Sequence, residues 1–220
     1  MAKTNRGGRR GGGGGGGNLQ PTTPTTPTPT TPDQDLINYL QSHTVAYSPE
    51  MALEHTNPHY RDSWQYQQNC QRCVWAYELQ RRGYDVEALP TYQGDDLPRG
   101  GNWRYLANNW SENSRFVSAG YGQSNSVKTE ITNITSEMNN WGNGSRAIVR
   151  VVWKSGRSGH VFNIENQGGI IKAFDGQTGK EVGLKDYLSR AKRGYTSIIR
   201  TDNADINLNA VSRFVKIRER

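Results

Sequence analysis

The chain has 220 residues, 27 Lys and Arg against 20 Asp and Glu, and a formal charge of +7. That length suits one domain with a sizeable core, and two cysteines are too few for a disulfide framework. No apolar run approaches the roughly 20 residues of a membrane span, and Lys3, Arg6, Arg9 and Arg10 lead into glycines rather than an apolar signal segment.

Residues 1–32 read as a tail. A basic, Gly-rich stretch passes into PTTPTTPTPTTP, an extended, polyproline-leaning spacer too poor in apolar surface to offset its ordering entropy. It offers nucleic acid or an acidic surface only non-specific electrostatic contact, since no aromatic interleaves its Arg and Gly residues to stack on bases. A single folded domain is expected over 33–220. Leu36, Ile37 and Leu40 predict a short amphipathic helix capped by Asp33 or Asp35. Ser48-Pro49-Glu50 reads as a second helix start, with Pro at its first position, and Asn57-Pro58 ends it.

Asn69 to Pro90 reads NCQRCVWAYELQRRGYDVEALP. Asn69 has the side chain of an N-cap, a helix is expected from Cys70 to about Arg82, and Gly83 stops it. Tyr84, Val86 and Ala88 alternate with polar residues as in a strand. Cys70 therefore stands in the first helical turn, where free N–H groups and the dipole favour thiolate. After Pro90 the chain is loop-rich, with Trp103, Tyr105, Leu106 and Trp110 as core anchors. Val127, Ile131, Ile134, Met138 and Trp141 recur at helical spacing over about 126–140.

The C-terminal third is strand-like. Ala147–Trp153 is almost continuously apolar, as a central strand would be. His160–Glu165 and Gly169–Phe174 form a hairpin; a short helix with Leu184, Tyr187, Leu188 and Ala191 inward follows; 195–200 and 213–217 are further strands. Helices first and a mostly antiparallel sheet after them make the class α+β.

A tight turn centred on Gln167-Gly168 sets His160 directly opposite Asp175 on one face of the hairpin. A carboxylate beside an imidazole fixes its tautomer and stabilises its protonated form. With a helix-start thiolate the set becomes Cys–His–Asp. A competing arrangement is His55 and His59 with Cys70 and Cys73, the residue types of a zinc site in reversed order, although Pro58 keeps the histidines off a common helix face.

N-C-x-x-C-V-x-A-Y-E-L-x-R-R-G-Y-D-V-x-A-x-P, G-H-V-F-N-x-E-N-x-G and F-D-x-Q-T-G together resemble the papain-fold toxin, or glutamine deamidase, domain of bacterial polymorphic toxins, a core also similar to domains of phage head proteins. The resemblance covers about 48–180. It implies a papain-like fold whose Cys-bearing helix packs on the sheet, and a triad that maps to Cys70, His160 and Asp175, with Gln177 matching a Gln after the Asp. Gly176 stands where such motifs often carry Pro, which loosens the turn. Against papain-like proteases, Cys73 aligns as the nucleophile, with Gln67 upstream as oxyanion donor; the helix dipole favours Cys70. Asn69 and Gln68 are further candidates for the oxyanion site.

The chemistry expected is deamidation of an exposed glutamine in a target protein, without metal or organic cofactor. An immunity protein is the expected partner if the chain is a toxin. A cysteine protease or transglutaminase uses the same triad, and a non-catalytic phage component or a zinc-binding module are rivals from other classes. Without a signal segment, the chain is expected to be cytoplasmic, delivered by a specialised route, or phage-associated.

Overall fold

The structure is a computed structural model that describes residues 34–41, 46–92, 117–118, 126–156 and 158–218. The tail, Asp33, the aromatic anchors between 103 and 110, and the side chain of Leu40 lie outside the described residues.

Three helices precede most of the sheet: α1 (Gln34–Gln41), α2 (Pro49–Thr56) and α3 (Cys70–Arg81). Ser48 caps α2 by accepting from Met51 N, with Pro49 at the first position as expected. Val86–Ala88 is β1 and Val117–Ser118 is β2; α4 spans Val127–Trp141, with Ser126 accepting from Thr129 N at its start. Then come β3 (Arg146–Val152), β4 (Gly159–Gln167), β5 (Ile170–Asp175), β6 (Lys180–Val182), α5 (Leu184–Arg190), β7 (Ser197–Arg200), α6 (Leu208–Val211) and β8 (Val215–Ile217). Six strands pair antiparallel in the order β2-β7-β3-β4-β5-β6, and β1 pairs separately with β8. The molecule is thus α+β, and β3 lies inside the sheet. Among the described residues no helix is long and apolar enough to cross a membrane.

Strand alternation sorts the core into two sides. Ile148, Val161 and Ile199 pack with Val74, Trp75 and Leu79 of α3. Val149, Phe162, Ile164 and Ile198 pack with Ile134 and Met138 of α4 and Leu188 of α5. The sheet is covered on both faces, and α3 is buried on nearly every side from Arg72 to Gln80. Its polar residues are therefore obliged to find partners. Glu78 accepts from Arg82 just past the end of its own helix, Arg146 on β3 and Thr201 beyond β7. Glu165 on β4 accepts from Tyr77 at 2.9 Å and Arg81 Nε at 2.6 Å. These two buried carboxylates fix α3 against the sheet in one register.

The β4–β5 hairpin departs from expectation by two residues. Its turn is centred on Gly168-Gly169, so Ile164 pairs with Ala173 and Asn163 with Phe174. Both glycines have positive φ, 65° and 90°, as a two-residue hairpin turn needs at both central positions. A turn centred on Gln167 would have forced a side chain into that region. Because side chains alternate with period two, a shift of two leaves every residue on its expected face. His160 and Asp175 consequently share a face, but as diagonal rather than opposed neighbours.

Candidate active site

The open end of this hairpin forms one wall of a cleft of about 410 Å³, lined by Gln67, Gln68, Cys70, Trp153, His160, Asp175, Gln177, Tyr187 and Arg190, among others. Three elements bring its chemistry together. Cys70 is the first residue of α3, half-buried, and lines the cleft beside His160, close enough to raise the pKa of the ring. His160 stands at the start of β4, and Asp175 at the end of β5. Since α3 covers the opposite face of the sheet, the thiol reaches the imidazole past the strand ends rather than across an inner face.

His160 Nε2 lies 3.2 Å from Asp175 Oδ2, a charge contact whose angle falls short of a hydrogen bond. That leaves Nδ1 as the ring nitrogen to offer the thiol. Asp175 is 1 % exposed, and its two oxygens are both engaged. Tyr187 Oη donates to Oδ2 at 2.6 Å, and the main-chain N–H of Gln177 donates to Oδ1 at 3.1 Å. Burial works to raise the Asp175 pKa, but His160 and the hydroxyls of Tyr187 and Thr178 hold it below the ordinary carboxylate value. Burial likewise disfavours the charged imidazole of His160, and the contacts to Asp175 and Cys70 overcome it, raising its pKa to about 9. The site therefore holds an imidazolium at neutral pH.

An aromatic cage fixes the imidazole plane. Trp153 stacks on it at 5.8 Å between centroids and 19° between planes. Phe162 stacks at 6.2 Å, and Tyr187 lies tilted at 5.9 Å. Sequence reading placed Tyr187 in the core and Trp153 at a strand end, and gave Arg190 no role. Parity is the signal that finds Trp153: Val151 pairs with His160, so Trp153, two residues on and just past the end of β3, shares its face. Tyr187 and Arg190 are three apart on α5, hence on one helix face.

Cys73 is placed differently from Cys70. It is 1 % exposed, and its thiol donates to Asn69 Oδ1 at 3.1 Å. Burial, reinforced by Cys70 and Asp175, pushes its pKa well above the ordinary value. Asn69 does not cap α3. Its φ of −97° and ψ of 23° are not the extended geometry a capping side chain uses, and it makes no side-chain cap bond. Its amide instead donates to Leu89 O and Asn57 Oδ1, away from the cleft lining. Gln67 and Gln68 do line the cleft, and Gln177 Nε2 donates to Gln67 O, joining the Asp175 turn to the segment before α3. His55 and His59 face Asp85 and Asp62; among the described residues no three His, Cys, Asp or Glu side chains are grouped to hold a metal.

Gly176 does not loosen the turn as its place in the motif suggested. It is buried, and a Cβ there would meet Thr56 Cγ2 at 2.8 Å and Cys73 Cβ and O at 3.4 Å. The Thr56 hydroxyl is tied to Ala52 O at 2.7 Å, so the methyl cannot swing aside freely. Gly176 is what lets the Asp175 turn lie against α2 and α3. Gly176→Ala is expected to cost about 1–3 kcal/mol by overpacking, measured by urea unfolding. Adding Thr56→Ser, which deletes the obstructing methyl, is expected to recover most of it; an unchanged Gly176→Ala midpoint would contradict the close packing.

Residues 68–180, just over half of the chain, match the family described as papain fold toxin 1, glutamine deamidase. The match begins beside Cys70 and ends on β6, so it takes in the Cys helix and the His–Asp hairpin and stops before Tyr187 and Arg190. No curated protein and no solved structure matches the chain. With the larger part of its length in that match, the chain belongs to the papain-fold toxin 1, glutamine deamidase family.

Proposed function

We propose that this protein is a thiol amidohydrolase that converts a glutamine side chain of a target protein to glutamate. The observation that carries the reading is the meeting of Cys70, His160 and Asp175 in one cleft. In this reading the Cys70 thiolate attacks the amide carbon, and the carbonyl electrons move onto oxygen. Free N–H groups at the start of α3 stabilise that oxyanion, with the amides of Gln67 and Gln68 as auxiliary donors. The imidazolium of His160 protonates the departing nitrogen, which leaves as ammonia, and a thioester forms. His160, now neutral, takes a proton from water as the water attacks. Collapse releases glutamate and returns the thiol. Asp175, anchored by Tyr187 and Gln177, keeps the imidazole oriented and favours its charged form.

Cys70 suits the nucleophile's role because it borders the cleft that His160 also lines, whereas Cys73 is enclosed. The test is incubation of candidate target proteins with the chain, reading ammonia and the mass of each target. Glutamine-to-glutamate conversion with an unbroken target chain is the expected result. A new N-terminus in the target would make the protein a protease, and a lysine cross-link a transglutaminase.

The raised His160 pKa sets the pH response. The leaving nitrogen needs the imidazolium, so kcat/KM is expected to fall on the alkaline side as pH rises through about 9. The His160 ring resonances in an NMR titration should share that midpoint. Asp175→Asn and Cys70→Ala each remove a contact that raises it, so both should move the midpoint down. An alkaline limb at the unperturbed histidine value of about 6.5 would mean that Asp175 and Cys70 do not raise the ring's pKa, and a profile with no alkaline limb would remove the imidazolium from the mechanism.

A further inference from the structure

The cleft carries a cation to which the mechanism proposed above gives no part. Arg190, the last residue of α5, is exposed and lines the cleft. Its guanidinium lies over the ring of Tyr187 at 4.6 Å and over that of Trp153 at 5.3 Å. Those are two of the rings that cage His160, so the charge sits one side chain away from the reacting imidazole. Among the described residues it makes no salt bridge with a carboxylate. Of the other lining residues only Asp175 is acidic, and it is buried and occupied by His160, Tyr187 and Gln177.

The main chain holds this arginine in place. Trp153 and Ala191 form a β-bridge, Lys154 N donates to Arg190 O at 3.0 Å, and Lys192 N donates to Val152 O at 2.7 Å. Stacking on two rings further restricts the side chain, so little ordering remains to be done when a ligand meets it. A planar guanidinium with unused donors matches a carboxylate through paired hydrogen bonds.

Resting on the deamidase reading above, we propose that Arg190 is a specificity residue: it selects glutamines that have an Asp or Glu close by in the target, by pairing with that carboxylate at the cleft mouth. A residue spans about 3.5 Å of extended chain, so the acidic side chain belongs within a few residues of the glutamine. The amide itself is neutral and gains nothing from Arg190 directly. The arginine therefore acts on substrate choice rather than on the chemical step.

The test uses the full chain and three peptides that differ only beside one glutamine, carrying Glu, Ala or Lys there. Deamidation by the wild type is expected to rank Glu over Ala over Lys, with about a tenfold advantage in kcat/KM at each step at low salt, shrinking as salt screens the pair. R190Q should bring the Glu-to-Ala ratio to about one, R190K should keep part of it, and R190E should turn the ranking toward Lys. Binding of the same peptides to Cys70→Ala, with and without R190Q, is read by fluorescence anisotropy. If binding follows the charge ranking and R190Q abolishes it, the proposal stands even where no peptide releases ammonia; absent turnover then counts against the deamidase reading alone. Equal binding and turnover of all three peptides by the wild type would overturn the proposal. So would an R190Q variant that loses all three peptides equally, since that marks Arg190 as mere packing for Trp153 and Tyr187.

Discussion

Cys70→Ala is expected to lower ammonia release about ten-thousand-fold or more, because in the proposed mechanism it removes the atom that forms the covalent intermediate. His160→Ala should fall to a similar floor, and the double variant little further, since groups that act as a unit do not add. Cys73→Ala is expected to behave differently. It deletes a buried thiol and its bond to Asn69, at a cost of about 1–2 kcal/mol in stability, and it leaves the cleft thiol in place. Rapid alkylation by iodoacetamide near neutral pH should therefore survive in Cys73→Ala and vanish in Cys70→Ala. Labelling that persists after Cys70 is removed would move the nucleophile to Cys73 and require the start of α3 to open.

The largest effect on stability is expected at Glu78, far from the cleft. Its carboxylate is fully buried between Arg82 and Arg146, with Thr201 completing its partners. Burial works to raise its pKa, but the two guanidinium groups outweigh this and hold it at about 2. Glu78→Ala leaves the mostly buried Arg146 without its charge partner, an arrangement that costs about 3–5 kcal/mol. For a domain of this size that lowers the melting temperature by roughly 10 °C. The folded pKa lies below the ordinary carboxylate value, so the contribution is present above about pH 4.5 and is lost as pH falls toward 2. The variant should accordingly show a flatter decline in stability with acid than the parent. A change below about 1 kcal/mol at neutral pH would mean that the network reorganises around the missing carboxylate.

Local patterns carried much of the fold. Ser48-Pro49 announced its helix because a capping hydroxyl acts within three residues of itself. The stripe from Val127 to Trp141 and the β-branched run of β3 were equally plain, since each repeats with the period of its own element. What stayed hidden depends on distant partners. Lys180–Val182 is polar in two of three positions and becomes β6 only by pairing with β5. The Leu208–Val211 turn of helix has too few residues for a period to show. Asn69 looked like a cap, but its amide is drawn inward by Asn57 and Leu89.

The candidate site divides along the same line. Cys70, His160 and Asp175 were visible because a helix start and a hairpin are short-range features, and an error of two in the hairpin register spared their faces. Tyr187 was not visible as a partner of Asp175, because nothing in a short amphipathic helix says that one of its inward hydroxyls will meet a carboxylate on another element. The sidedness of α3 was also beyond reach. Only the packing of Val74 and Trp75 with Ile148 and Val161 shows which face of the sheet the helix covers.

The ladder between β1 and β8 has a kinetic consequence. Val86, Glu87 and Ala88 are made well before Val215, Lys216 and Ile217, whose backbone groups complete them. Arg218 adds a clasp on Asp85 from the same late segment. While the ribosome is still short of those positions, the nascent chain carries an open ribbon edge beside the helix that bears the thiol. Consolidation around that helix is thus deferred until the segment carrying Val215–Arg218 has been made.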